Sequence, residues 1–378
     1  MRKHRVLLVA LFLLISCNGF PHVIASDSPP ARMGHRMIFD PVNMRTILLG
    51  GAIDENGWRY FRDMWSYDAT NNTWSEITTS GGPSGRFNFQ IAYSVDHQKI
   101  VVFSAAQTSL SADTWVYDVQ QNSWERKRPN PSPVQRGDAG FVYDETNKVF
   151  IMYGGLSDVN PERTLDETWV YDIDENTWTE MTPENSPPRS YGGDLVYDSL
   201  NQKVLLWGGN TWDGGKIDEF WCYDYPTNTW TRIETNPKPR GRYWQQMTFD
   251  QDIGKVVIFG GAPPIPTMLR DTWLYDYTRN EWTEIDSSDN PSASWSSSMV
   301  YDSEIGKVVL FGGKSGPRET CGDTWVLDTV NGEWRIAVTS LPTGTENDRD
   351  DTSGGIPGFP VVSIIIALAL CVAYKRYL

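Results

Sequence analysis

Residues 271–285 read Asp-Thr-Trp-Leu-Tyr-Asp-Tyr-Thr-Arg-Asn-Glu-Trp-Thr-Glu-Ile, with Trp273 and Trp282 nine positions apart. The same spacing recurs in Trp65 and Trp74, Trp115 and Trp124, Trp169 and Trp178, Trp221 and Trp230, and Trp325 and Trp334. Second members step by 50, 54, 52, 52 and 52 residues, so the chain repeats a unit six times. Alternation puts Trp115 and Tyr117, two apart, on one face of a strand. Asp118 with Asn122 then supplies turn chemistry before the next strand opens near Trp124. Upstream, a β-branched run closes in a glycine pair, as in Gly50-Gly51, Gly154-Gly155, Gly208-Gly209, Gly260-Gly261 and Gly312-Gly313. Paired glycines end a strand where backbones approach closely or φ turns positive. Earlier still lies an apolar strand ending in Tyr/Phe-Asp, such as 141–144 and 299–302, after a Pro-rich stretch and usually an Arg. Four strands in a unit of about 52 residues make one blade of a propeller.

The pattern resembles the kelch repeat, whose hallmarks are a double glycine, a Tyr about twenty residues on and a Trp about seven later. Five of the six units carry the glycine pair, five carry the Tyr (Tyr67, Tyr117, Tyr171, Tyr223 and Tyr275), and all six carry the late Trp, over residues 29 to 340. The resemblance implies an all-β, six-bladed propeller with four antiparallel strands per blade, the Tyr/Phe-Asp strand innermost and the late Trp outermost. Unit two departs with Ser104-Ala105 for the glycines, and unit six with Leu327 for the Tyr and Ser294 at the Arg position. Each blade comes from one contiguous segment, so no spare strand is left to close the ring. Closure then rests on blade one packing against blade six, which predicts the weakest joint there; residues 26–31 or 337–341 are candidates for a small helping strand.

The ends of the chain read as address and anchor. Arg2, Lys3 and Arg5 precede an apolar stretch at 6–15 and small-residue cleavage before Ser26, a signal peptide over 1–25. A competing reading makes Leu14-Ile15-Ser16-Cys17 a lipobox with Cys17 as a second, lipidated anchor. The propeller is expected over 26–342, an acidic polar linker over 343–355, a transmembrane helix over 356–374 and a basic cytoplasmic tail over 375–378. With an export signal ahead and Lys375-Arg376 behind, the span stops transfer and leaves the propeller outside, on the cell surface. Pro357, Gly358 and Phe359, followed by a short apolar helix and a basic end, also resemble archaeal sorting tags of the PGF type. That resemblance implies removal of the helix and lipid attachment; a plain transmembrane anchor is the alternative. Of the cysteines at 17, 222, 321 and 371, only Cys222 and Cys321 lie in the exported body, a whole repeat apart, and no disulfide is expected.

Five of the 33 Lys and Arg sit at the two ends, leaving 28 in the body against all 48 Asp and Glu. Such a surface repels phosphate backbones and argues against a nucleic-acid partner. His35 and His97 fall on different faces, unlike the two-His, two-Tyr copper centre of galactose oxidase, which can share this repeat. No hydrolase elbow, zinc motif or phosphate loop appears, so no catalytic residues, metal or cofactor are assigned. One propeller face gathers the loop after each glycine pair and the loop entering each inner strand. It receives Arg32, Arg189 and Arg240 together with the candidate ligand-binding residues Trp58, Tyr60, Arg86, Arg136, Tyr191, Trp212, Arg242, Trp244 and Trp295. Arg and aromatic side chains on loops are what binding surfaces favour. The recurring Arg has a second reading, pairing with a carboxylate or carbonyl of the neighbouring blade. Trp58, Trp212, Trp244 and Trp295 occur once each and argue for contact with a ligand. The expected activity is an adhesion module that binds an extracellular protein or glycan. The alternative is a secreted carbohydrate-active enzyme, which convergent carboxylates in the central channel would favour.

Overall fold

The computed structural model describes residues 23–24, 28–103, 112–159, 163–215, 217–263, 268–292, 295–316 and 319–339. The signal segment but for Val23–Ile24, Cys17, Ser104-Ala105, Ser294, and the linker, transmembrane helix and tail lie outside these residues. Every described element is a strand.

Six four-stranded antiparallel sheets follow one another in sequence. Blade one is Arg36–Asp40, Arg45–Leu49, Met64–Asp68 and Thr73–Ile77; blade two is Gln90–Ser94, Lys99–Phe103, Thr114–Asp118 and Ser123–Lys127. Blade three is Gly140–Asp144, Val149–Tyr153, Thr168–Asp172 and Thr177–Met181; blade four is Asp194–Asp198, Lys203–Trp207, Phe220–Asp224 and Thr229–Ile233. Blade five is Gln246–Asp250, Lys255–Phe259, Thr272–Asp276 and Glu281–Ile285; blade six is Ser298–Asp302, Lys307–Phe311, Thr324–Asp328 and Glu333–Thr339. The first strand of each blade is innermost and the last outermost.

Register explains the repeat. In blade five Tyr275 lies opposite Trp282, whereas Trp273 lies opposite Glu284. The Tyr and the late Trp therefore stack across the strands, with ring centroids 4.8 to 5.0 Å apart in blades one to five. The Tyr hydroxyl donates to an Asn in the following turn, as Tyr171 does to Asn176 at 2.9 Å and Tyr275 to Asn280 at 2.8 Å. That Asn has a left-handed φ of 49° to 54° in each of the five. Blade six has Leu327 instead, with no hydroxyl to bind, and Gly332 holds the left-handed position at φ 71°. The two departures are one change.

Hydrophobic clusters form between blades, not within them; one joins Leu48, Tyr67 and Trp74 of blade one to Val309, Phe311 and Val338 of blade six. Each late Trp reaches into the preceding blade. Trp178 donates its indole N–H to Thr114 Oγ1, Trp230 to Thr168 and Trp334 to Thr272, at 2.8 to 3.0 Å. Trp74 does the same with Thr324, at 2.9 Å, across the joint between blades one and six.

That joint is bonded like the others. Gly34, Asn88, Asp138, Gly192, Trp244 and Ser296, all at left-handed φ of 52° to 70°, form a belt around the axis. Each N–H donates to the carbonyl of its counterpart in the preceding blade, at 2.8 to 3.4 Å, and Gly34 N–H closes the circle on Ser296. Gly313 N–H also donates to the Arg32 carbonyl, as Gly51 does to Arg86 and Gly209 to Arg242. The expectation that closure rests on packing alone is corrected: the backbone belt runs through the joint unbroken. A fifth strand, Val23–Ile24, does pair in parallel with Val338–Thr339, but on the outer edge of blade six and within the segment assigned to the signal.

Candidate functional site

The loop face is set by the segments entering the inner strands and those following the glycine pairs. Arg32, Arg86, Arg136 and Arg242 enter from the first set, but all four are 0 to 2% exposed. Arg242 Nη1 donates to the Gly260 carbonyl at 2.9 Å, and the guanidinium grips Asp271 with two bonds of 2.7 Å. Arg32 repeats this with Gly50 and Asp63, and Arg136 with Gly154 and Glu167. The same carboxylates accept the indole N–H of the first Trp of each pair, Trp273, Trp65 and Trp169. Burial pushes the Asp63 and Asp271 carboxyls up, but their arginines override it and hold both below the ordinary range. Burial pulls Arg86 down to about 10 and lowers Arg136.

Arg86, Arg136 and Arg242 thus stand under the face rather than on it, and the carboxylates that bind Arg136 and Arg242 belong to the same blade, not the neighbouring one. With Nε given to the Arg240 carbonyl as well, four of the five guanidinium N–H groups of Arg242 are engaged inside the framework, and burial keeps the group from a ligand on the face. In blade four the position is Ser190, whose carbonyl accepts Gly155 N–H. Arg189, one residue out of register, is exposed and paired with Asp166.

The aromatic candidates do gather on the loop face. After the first glycine pair, Ala52–Asp54 and Trp58–Tyr60 form a two-stranded hairpin that lifts Trp58 into solvent at 46% exposure. Its indole stacks on Tyr60 at 6.1 Å and on Phe87 of the next blade at 5.7 Å. A second group runs across blades four to six. Trp244 and Trp295 stack at 5.0 Å and 19°, Tyr243 lies 4.4 Å from Trp244, and Tyr191 meets both Tyr243 and Trp244 edge-on. Lys314 sits over Trp295 at 5.4 Å, and Asn210 donates to the Tyr191 hydroxyl at 3.0 Å. Trp212 stands apart, 53% exposed, with the Arg163 guanidinium over its ring at 4.6 Å.

Trp295 is not a once-only residue in structural terms. Met33, Phe87, Gly137, Tyr191, Tyr243 and Trp295 each immediately precede a belt residue, forming a rim that is aromatic in four blades. Phe87 and Tyr243 belong to it as fully as Tyr191 does, and counting back from each inner strand exposes the series. Trp244 is the exception within the belt, a bulky side chain at φ 56°, where such residues are uncommon. Its ring lies over Gly192, whose missing Cβ leaves room for it; a Cβ there would stand 3.0 Å from Trp244 Cδ1.

The opposite face carries the hairpin turns. His97 sits there between the first two strands of blade two, with Nδ1 2.7 Å from Ser94 Oγ and Nε2 3.1 Å from Asp174. These are the residue types of a hydrolase triad. Ser94, however, is fully buried and accepts the turn N–H of His97, a capping role that Asp40, Asp144, Asp198, Asp250 and Asp302 fill in the other blades. His35 is buried at the joint of blades one and six, edge-on to Phe311. Among the described residues no three His, Cys, Asp or Glu side chains group as metal ligands.

Comparison with known proteins agrees with this geometry. A family model described as the KLHDC2/KLHL20/DRC7 Kelch-repeats domain matches residues 20–197 and 195–349. The chain is 31% identical over 213 residues to a putative adagio-like protein 2 of Oryza sativa subsp. japonica, covering 53% of this chain and 32% of that protein. It is 25% identical over 281 residues to Kelch domain-containing protein 10 of Xenopus tropicalis, covering 68% and 66%. An F-box/kelch-repeat protein of Arabidopsis thaliana is 25% identical over 329 residues, covering 80% and 56%. The matches span from about a third to two thirds of these relatives' own lengths.

Proposed function

The chain belongs to the kelch-repeat β-propeller family, and on that premise we propose that it is a binding module that holds an extracellular protein on its loop face while anchored to the cell surface. One observation carries the reading: the buried arginines are spent on the framework, whereas aromatic side chains of blades one, two and four to six converge on the same face. Trp58 and Trp212 present exposed rings, the form in which aromatic residues anchor interfaces. Export and anchoring are supported by the basic and apolar start of the chain and by the apolar stretch before Lys375-Arg376. A glycan is the alternative partner, since sugar rings also stack on exposed indoles.

The enzyme alternative is less well supported. Asp138 and Asp194 do approach the axis, but Asp194 accepts the N–H groups of Met247 and Leu195, and Asp138 accepts the Asn88 amide. These framework bonds account for both carboxylates without a catalytic role.

The test is a binding screen of the purified chain against surface-protein and glycan panels, beside Trp58→Ala, Trp212→Ala and Trp295→Ala with folding verified by circular dichroism. Protein binding weakened at least about tenfold by Trp58→Ala or Trp212→Ala supports the reading. Turnover of a glycan, or binding indifferent to all three changes, moves the site off this face.

A further inference from the structure

The innermost strand of each blade is an edge strand, so backbone groups along it face the axis and need partners. Side chains of the preceding blade supply several: Met37 N–H donates to Ser298 Oγ at 2.8 Å, Met247 N–H to Asp194 Oδ2 at 2.9 Å, and Tyr301 N–H to Thr248 Oγ1 at 2.9 Å. Together the six strands enclose a channel of about 490 Å³ whose mouth lies on the hairpin face, among Pro41, Val95 and Ser303. At the loop face it is shut by the backbone belt and the Trp244 ring, which leave a void of only about 10 Å³. Ile38, Val142, Val196 and Val300 form one aliphatic layer in a lining that is otherwise largely polar.

The blind end is different. The first residues of the inner strands ring it: Arg36, Gln90, Gly140, Asp194, Gln246 and Ser298. Arg36 and Asp194 come from blades one and four, which are opposite each other in a ring of six; Asp138, in the belt of blade three, lines the small void behind them and not the channel. Arg36 makes one hydrogen bond to a described residue, from Nε to the Phe89 carbonyl at 3.0 Å, and no ion pair, so its Nη groups have no bonded partner among these residues. Asp138 and Asp194 feel its charge without touching it. Arg36 and Asp194 are both half-buried and reach the channel without meeting an opposite charge directly, so a ligand that carries both charges would satisfy the two together.

We propose that the blind end of the channel binds a small zwitterion, an α-amino acid with an apolar side chain. Its carboxylate pairs with the Nη groups of Arg36, its ammonium faces Asp194, and its side chain lies along the aliphatic layer of Ile38, Val142, Val196 and Val300. A monoanion or monocation answers only one side of the opposed charges. A polyol makes hydrogen bonds but answers neither charge. This site is independent of the loop face.

Isothermal titration of the purified full chain with L-leucine, N-acetyl-leucine, leucinamide and glucose tests it. Leucine is expected to bind, and the two blocked analogues and glucose to bind at least about tenfold more weakly, as loss of a charge-assisted contact requires. Arg36→Gln and Asp194→Asn are expected to weaken leucine binding by at least about tenfold while the protein stays folded. Gln is the native residue at the same ring position in blades two and five, and Asn keeps an oxygen for the Met247 N–H. Trp58→Ala is expected to leave leucine affinity unchanged. No heat with leucine, equal affinity for leucine and its blocked analogues, preference for glucose, or unchanged affinity in both channel variants overturns the proposal. Loss of leucine binding in Trp58→Ala places the ligand on the loop face and overturns it equally.

Discussion

At the scale of single residues, the repeat is a set of buried polar contacts whose loss has a sign and a size. Trp230 Nε1 donates to Thr168 Oγ1 at 2.9 Å inside the joint of blades three and four. Thr168→Val keeps the shape and removes the acceptor, so the stranded donor is expected to cost about 1–2 kcal/mol, read as a lower urea midpoint at unchanged m. The protein already tolerates one such loss: Phe220 stands at the Thr position of blade four, and Trp282 Nε1 across from it has no partner. The arginines give a sharper contrast. Arg242→Ala removes a fully buried guanidinium and leaves the half-buried Asp271 carboxylate and the Gly260 carbonyl without it, an expected loss of about 3 kcal/mol. Arg189→Ala removes an exposed pair with Asp166 and is expected to cost no more than about 1 kcal/mol. Equal effects of the two changes in chemical denaturation would contradict the framework role given to Arg242.

At the scale of strands and turns, the sequence was most legible where side chains repeat. The Trp pairs nine apart mark the two outer strands because Tyr275 must lie opposite Trp282 for their rings to stack. The glycine pairs mark the end of the second strand because both glycines adopt positive φ, 66° and 102° at Gly260 and Gly261. Less was legible where the partner is backbone. The belt from Gly34 to Ser296 uses Gly, Asn, Asp, Trp and Ser, which share a dihedral and no side-chain chemistry, so no pattern of residue types announces it. The same gap concealed the aromatic rim and let Arg189 stand in for Ser190. Turn geometry is open to a direct test at Asn176, which has φ 52° and accepts the Tyr171 hydroxyl. Asn176→Gly loses the hydrogen bond alone, about 1 kcal/mol. Asn176→Ala loses the same bond and also places Ala, which tolerates the left-handed region less well than Asn, at that φ, for about 2 kcal/mol in all. The difference between the two variants, read from thermal or urea unfolding, isolates the backbone contribution.

At the scale of the whole ring, His35 ties closure to pH. It is fully buried between blades one and six, and burial followed by the charges of Arg32 and Arg36 holds its pKa well below 6.5. A group whose folded pKa is depressed favours the folded state above its unfolded pKa and withdraws that support as pH falls. The contribution of neutral His35 is therefore complete above about 6.5 and declines progressively below it. Asp138 and Asp302, raised to about 6 chiefly by burial, act with the opposite sign and gain stability as they protonate over part of the same window. A variant separates the two effects. Gln245 holds the same place in blade five and donates to the Trp207 carbonyl at 2.8 Å, so His35→Gln should fit while removing the titrating ring. Thermal unfolding between pH 7 and pH 5 is expected to show the melting temperature of the native protein falling relative to that of His35→Gln as the medium is acidified. Parallel curves for the two proteins would show that the histidine does not set the acid limit of the ring. Because the late Trp contacts and the backbone belt both cross this joint, its opening frees the edges of blades one and six together and removes the continuity on which the loop face and the channel depend.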